Sequence, residues 1–120
     1  MARQRFIVEL GNGADLHGED VTEAACRAVK DAISSNCLCG LLEIVGMDDP
    51  NQMEVEVLVA TPKPEEVDTE RVKEMLPFGQ VTVNSVSGGM MAHGLCVPEI
   101  APDCDQIMVA NAAVTVFVNK

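Results

Sequence analysis

Hydrophobic and polar residues alternate along this chain with two different periods. Between residues 53 and 60, Met53, Val55, Val57 and Val59 interleave with Glu54 and Glu56. This period of two sets one side of a strand against a core. Val81 and Val83 share a face in the same way and predict a strand over residues 80–86. Residues 107–118 form a long valine-rich run, read as a strand that is central or bent. Near the amino terminus, residues 5–10 read as a strand with Phe6, Val8 and Leu10 on one face.

The period lengthens to that of a helix over residues 21–35. Val21, Ala25, Ala28, Val29 and Ala32 fall on one stripe, while Glu23, Arg27, Lys30 and Asp31 share the opposite face. Asp20 followed by Glu23 has the form of a capping box, and Glu23–Arg27 and Arg27–Asp31 are spaced to pair along the exposed side. Residues 41–45 read as a short buried strand. The turn-forming run Asp48-Asp49-Pro50-Asn51 would join it as a hairpin to the strand over residues 53–60. After Pro62 and Pro64 a second helix is predicted over residues 65–76, ended by Pro77 and Gly79. The order β-α-β-β-α-β-β predicts an α+β, two-layer sandwich with helices on one face of a mostly antiparallel sheet.

Length and composition add limits. The 120 residues suit a single domain spanning 1–120. No apolar run approaches the ~18 residues of a membrane span, and the amino terminus leads into a strand-like run. A cytoplasmic protein that uses no membrane is therefore expected. The chain is 48% hydrophobic yet holds only three Phe and neither Trp nor Tyr. Copies of the chain itself would most easily cover the open face of its sheet, so a homo-oligomer is expected, a trimer or a multiple of one. Eight basic residues against nineteen acidic ones leave a net charge of −11. Without a basic stripe, nucleic acid is not an expected partner. Cys26, Cys37, Cys39, Cys96 and Cys104 form no disulfide framework. The spacing of His17, His93 and Cys96 fixes no two ligands on one element, so no metal or other cofactor is expected.

Candidate chemistry gathers in two glycine-rich segments, residues 11–18 and 85–89, each followed or accompanied by one of the two histidines. Glycines let a backbone approach a ligand closely, and loops carry function. Gly11, Asn12, Gly13, Asp15, Gly88, Gly89, His93 and Arg27 are the candidate ligand-binding residues for a small molecule, with His17 and Ser87 the candidates for chemistry. His17 reads either as an acid–base or ligand-orienting group with Asp15, or as a residue that holds the loop's shape. His93, in an apolar stretch, reads as a buried, hydrogen-bonded histidine. Asp15, Glu19 and Asp20 disfavour a phosphate, and the glycine spacing is not a dinucleotide fingerprint. The segment of residues 87–105 lacks periodicity. It reads as a short strand over residues 94–97 with a packed crossing loop, as a ligand lid, or as both.

The run VELGNGADLHGEDVTEAACRAVKDAISSNCL, followed by Gly40-Leu41, resembles a small family of conserved hypothetical proteins with a G-x-G-x-D-L-H-G signature. The strand, Ser-Gly-Gly and histidine near Ser87 fit the same family, so the resemblance spans the chain. It implies a sandwich akin to the chorismate-mutase-like trimeric folds, with a ferredoxin-like arrangement as the other form. Val86-Ser87-Gly88-Gly89 is also similar to the serine motif of the cyanuric acid hydrolases and barbiturases, the ring-opening amidohydrolases. That resemblance implies Ser87 as nucleophile toward a cyclic amide, with Lys30 as its proton acceptor and the amides around Gly88 and Gly89 as an oxyanion site. The helical wheel places Lys30 on the face expected to meet water. Two classes stay open: an amidohydrolase-like enzyme using Ser87, Lys30 and His17, and a non-catalytic ligand-binding or scaffolding oligomer.

Overall fold

A computed structural model describes residues 2–96, 98–99 and 105–119. The elements are β1 (Arg3–Asp15), α1 (Val21–Ser34), α2 (Gly40–Glu43), β2 (Glu54–Thr61), α3 (Thr69–Lys73), β3 (Gln80–Ser87), β4 (Met90–His93) and β5 (Gln106–Asn119), with 3-10 turns at Pro50–Gln52 and Pro64–Glu66. They make a two-layer α+β fold around a five-stranded sheet of order β1-β5-β2-β3, with β4 also on β5. β5 pairs antiparallel with β1, β2 and β4, while β2 and β3 run parallel.

The strand over residues 107–118 is central, as its valine content implied. β1 takes one edge of β5, so β2 and β4 must share the other, β2 opposite Phe117 through Asn111 and β4 opposite Val109 through Gln106. β4 thus continues the lane of β2. To reach it the chain steps sideways out of β3 at Gly88-Gly89. The Gly88 amide donates to the Thr61 carbonyl at 2.9 Å. A β-carbon on Gly88 would lie 2.7 Å from that of Ala60, and one on Gly89 would meet the Val109 and Ala60 carbonyls. Gly89 also holds φ +65, where only glycine is unstrained.

The core lies between the sheet and α1. Val55, Val57, Val59, Val114 and Val116 pack under Ala24, Ala25, Ala28, Val29 and Ala32, all buried. The Glu23 amide donates to Asp20 Oδ1 at 3.0 Å, which caps α1. The Glu23 carboxylate turns instead to Arg27 and Arg71. Asp68 caps α3 by accepting from the Glu70 and Arg71 amides, and its own amide donates to Thr22 Oγ1, tying α3 to the start of α1.

Several expectations are corrected. The segment over residues 41–45 is the short helix α2 rather than a strand, so it forms no hairpin with β2. Leu41 is buried, but Leu42, Glu43 and Ile44 are exposed. The helix expected over residues 65–76 is a 3-10 turn followed by the shorter α3, because Asp68 starts a new cap within it. The extra strand is Met90–His93, upstream of the expected residues 94–97, of which Val97 lies outside the described residues. Most importantly, β1 does not stop at Leu10. It runs through Gly11 and Gly13 to Asp15 in unbroken register with β5.

Candidate functional site

The first glycine segment is therefore largely strand, and its glycines serve packing. A β-carbon on Gly13 would lie 2.6 Å from the Ala24 carbonyl oxygen, and one on Gly11 would lie 2.9 Å from the Ala32 α-carbon. Both also face the backbone of Ala28. The helix rests directly on the strand, and no room for a ligand exists over these two positions. Asp15 closes the segment as a brace. It is buried, its Oδ2 accepts the Asp20 amide at 2.9 Å, and its Oδ1 lies 3.4 Å from Arg27 Nη1. Arg27 also donates to the Ala14 carbonyl at 2.7 Å. Asn12 sits on the opposite face of the sheet, where its Oδ1 accepts from Asn111 Nδ2 at 2.6 Å. His17 follows in the turn, half-buried, its Nδ1 without a hydrogen-bond partner among the described residues.

The second segment reaches the same end of the sheet without meeting the first. Ala14, Val109 and Met90 form one row across β1, β5 and β4, which puts β1 and β4 two lanes, about 10 Å, apart. Asn12, Asn111, Ala60 and Val86 form another row, so β1 and the end of β3 are three lanes, about 14 Å, apart. Ser87 is exposed at that end. Lys30 is exposed on the outer face of α1, beside a groove shared with Glu23, Cys26, Arg27 and Arg71. Within one chain, Ser87 and Lys30 do not share a site. His93 is not the buried histidine expected. Its side chain is 82% exposed and lies 3.5 Å from Asp105, because β4 stands outside the helix layer. Gly88 and Gly89 serve the lane change described above. The Gly94 amide donates to the Asp105 carbonyl at 2.6 Å, joining the two ends of the segment between them.

A different cavity went unseen in the sequence. Near its midpoint β1 outruns the helix. Thirteen strand residues extend about 44 Å, whereas the fourteen of α1 extend about 21 Å. Past the end of α1, a pocket of about 430 Å³ opens between the sheet, the segment from Asn36 to Leu42, and Leu76, Pro77 and Phe78. Its walls are apolar apart from Glu9, Asn36 and the thiols of Cys37 and Cys39. Glu9 is only 5% exposed. Its Oε2 accepts from Asn36 Nδ2 at 2.8 Å. The residue escaped notice because alternation set Phe6, Val8 and Leu10 together and left Glu9 on the polar side. The β-bulge between Arg5 and Ile7 and the placement of α1 turn that polar side inward.

A crystal structure of an FtsZ-like protein of unknown function from Nostoc punctiforme superposes with a TM-score of 0.90 at 47% identity, covering 100% of this chain and 99% of that one. No curated protein matches the chain. No helix among the described residues is long and apolar enough to cross a membrane. A family model for conserved hypothetical proteins, Lin0512, matches residues 5–116, over which every strand described above is present in whole or in part. The chain belongs to the Lin0512 family of conserved hypothetical proteins.

Proposed function

We propose that the chain is a non-catalytic, ligand-binding subunit of a homo-oligomer whose copies meet through the open face of the sheet. The observation that carries this reading is the inverted pattern of β1. Its helix side presents Glu9, Gly11, Gly13 and Asp15, while Val8 and Leu10 point to the open side, where Leu10 is 74% exposed. The register sets Leu10, Ala113 and Leu58 in one row, and Leu58 is 45% exposed. Val86 and Met90 extend the patch toward the glycine step. A contiguous apolar patch of this kind marks an interaction surface, and a strand that turns its apolar side away from its own core gains only when a partner covers that side.

Size points the same way. The radius of gyration is 16.2 Å, against about 13.6 Å for a compact chain of this length. The accessible surface is 6879 Å², against about 6300 Å² for a monomer of this mass. Because Gly11, Gly13, Gly88 and Gly89 are taken up by packing within the chain, the ligand site of this reading lies where the exposed ends of these segments meet a neighbouring copy. Ring opening by Ser87 would need a base other than Lys30 of the same chain, which lies on the outer face of α1.

The test is solution mass by light scattering for the wild type and for Leu58→Glu. An oligomer that the variant converts to a folded monomer supports the reading, whereas a wild-type monomer at micromolar concentration overturns it. A thermal-shift screen of cyclic imides, pyrimidines and small carboxylates beside it would report ligand binding. Turnover of a cyclic imide that Ser87→Ala abolishes would replace the non-catalytic reading with the hydrolase one.

A further inference from the structure

We propose that the cavity at the end of α1 binds an apolar organic amine, its ammonium group held by the Glu9 carboxylate. This site is distinct from the sheet face above and does not depend on the oligomer.

The position of Glu9, buried at the end of α1, carries an energetic cost. A carboxylate removed from water needs several donors or a cation to offset its lost hydration. Among the described residues one side chain, Asn36, donates to it, and that bond occupies Oε2. No lysine, arginine or histidine lines the cavity. The carboxylate is thus aimed into an apolar space with acceptor capacity left over. At about 430 Å³ the space lies within the usual range for small-molecule sites. Leu38, Leu76 and Phe78 on one side and Val114 and Val116 on the other offer an apolar body its contacts, with the charge fixed at one wall.

Ligand charge follows from the same residues. An ammonium would make a charge-assisted bond with Glu9. A carboxylate-bearing ligand would meet like charge at close range, and a net charge of −11 repels anions at longer range. A neutral alcohol of the same shape could donate a hydrogen bond to Glu9 but would lack the ammonium's opposite charge. Ala32 of α1 sits directly on Gly11, and the helix ends at Ser34, just short of the cavity that Glu9 lines.

The experiment uses three phenylalkyl probes that differ in head group on the wild-type protein: 4-phenylbutylamine, 4-phenylbutanol and 4-phenylbutanoate. Affinity is read by calorimetry and location by methyl chemical-shift changes at Val114 and Val116. The amine is expected to bind about tenfold or more tighter than the alcohol, and the butanoate more weakly than either. Glu9→Gln should remove the amine's advantage over the alcohol. Equal binding of amine and alcohol, no binding of the amine, or an amine advantage that survives in Glu9→Gln would each overturn the proposal. If Glu9→Gln does not fold, the wild-type ratio of amine to alcohol, with shifts at the two valines, decides alone.

Discussion

Gly13 and Ala24 are separated by less than a side chain: a β-carbon on Gly13 would come within 2.6 Å of the Ala24 carbonyl oxygen. Backbone, rather than a flexible side-chain end, occupies that space. Gly13→Ala must therefore push α1 off β1, at a cost in the upper part of the about 1–3 kcal/mol typical of overpacking, or beyond it. Gly40→Ala is the control, since its new β-carbon would meet the movable ring of Phe6 at 3.0 Å. Urea unfolding of both variants should show a large loss for Gly13→Ala and a small one for Gly40→Ala. Equal midpoints would show that helix and strand are not in close contact.

The lane change at Gly88-Gly89 makes a second prediction. Gly89→Ala combines a positive φ with a β-carbon against the Val109 carbonyl. It should detach β4 from β5 while β1, β2 and β3 keep their pairing. Hydrogen exchange is the readout: amides of Met90 to His93 should lose protection first, with those of Val114 and Val116 unchanged. Uniform loss across the sheet would mean that β4 and the rest form one cooperative unit.

Asp15 in the signature segment is expected to act on stability. Asp15→Ala removes the acceptor of the Asp20 amide and the partner of Arg27 in a buried setting, costing about 1–3 kcal/mol. Glu23→Gln, which weakens two exposed ion pairs to Arg27 and Arg71, should cost no more than about 1 kcal/mol. A reversed order in thermal melts would contradict the role of Asp15 as a brace.

Cysteine chemistry should divide by burial. Burial pushes the Cys26 thiol above its ordinary value of 9.0, whereas Cys37, Cys39 and Cys96 are exposed. Iodoacetamide on the native protein at neutral pH should label those three and spare Cys26, as peptide mass spectrometry would show. The folded chain holds the Cys26 proton more tightly than the unfolded chain does. Its stabilising contribution is therefore complete below the ordinary thiol value and declines as pH rises above it. Cys26→Ser should flatten that alkaline decline; an unchanged slope would assign it to other groups.

Much of the fold was legible before any coordinates. α1 could be read because its apolar stripe and its Asp20 cap are local, each formed within a few residues. β2, β3 and β5 could be read because period-two valines bury one side wherever the sheet lies. Residues 41–45 could not, since an apolar run that short suits a strand and a buried helical turn equally. The glycine segments are distinctive in the sequence, but the packing role of their glycines is not written there. Gly11, Gly13, Gly88 and Gly89 make room for helix and neighbouring strands, and which atoms would fill that room depends on elements far away in the chain.

Alone, the sequence determined α1, β2, β3, β5 and the two-layer class, because propensity, capping and periodicity act over a few residues. Only the tertiary structure decided which side of β1 faces the helix. That choice rests on a bulge at Arg5, on the seating of α1 over Gly11 and Gly13, and on register with β5. It moves Glu9 from an expected solvent face into an apolar cavity, and Val8 and Leu10 onto the open face. A strand's alternation states that its two sides differ; the packing of the remaining layers selects which one is inside.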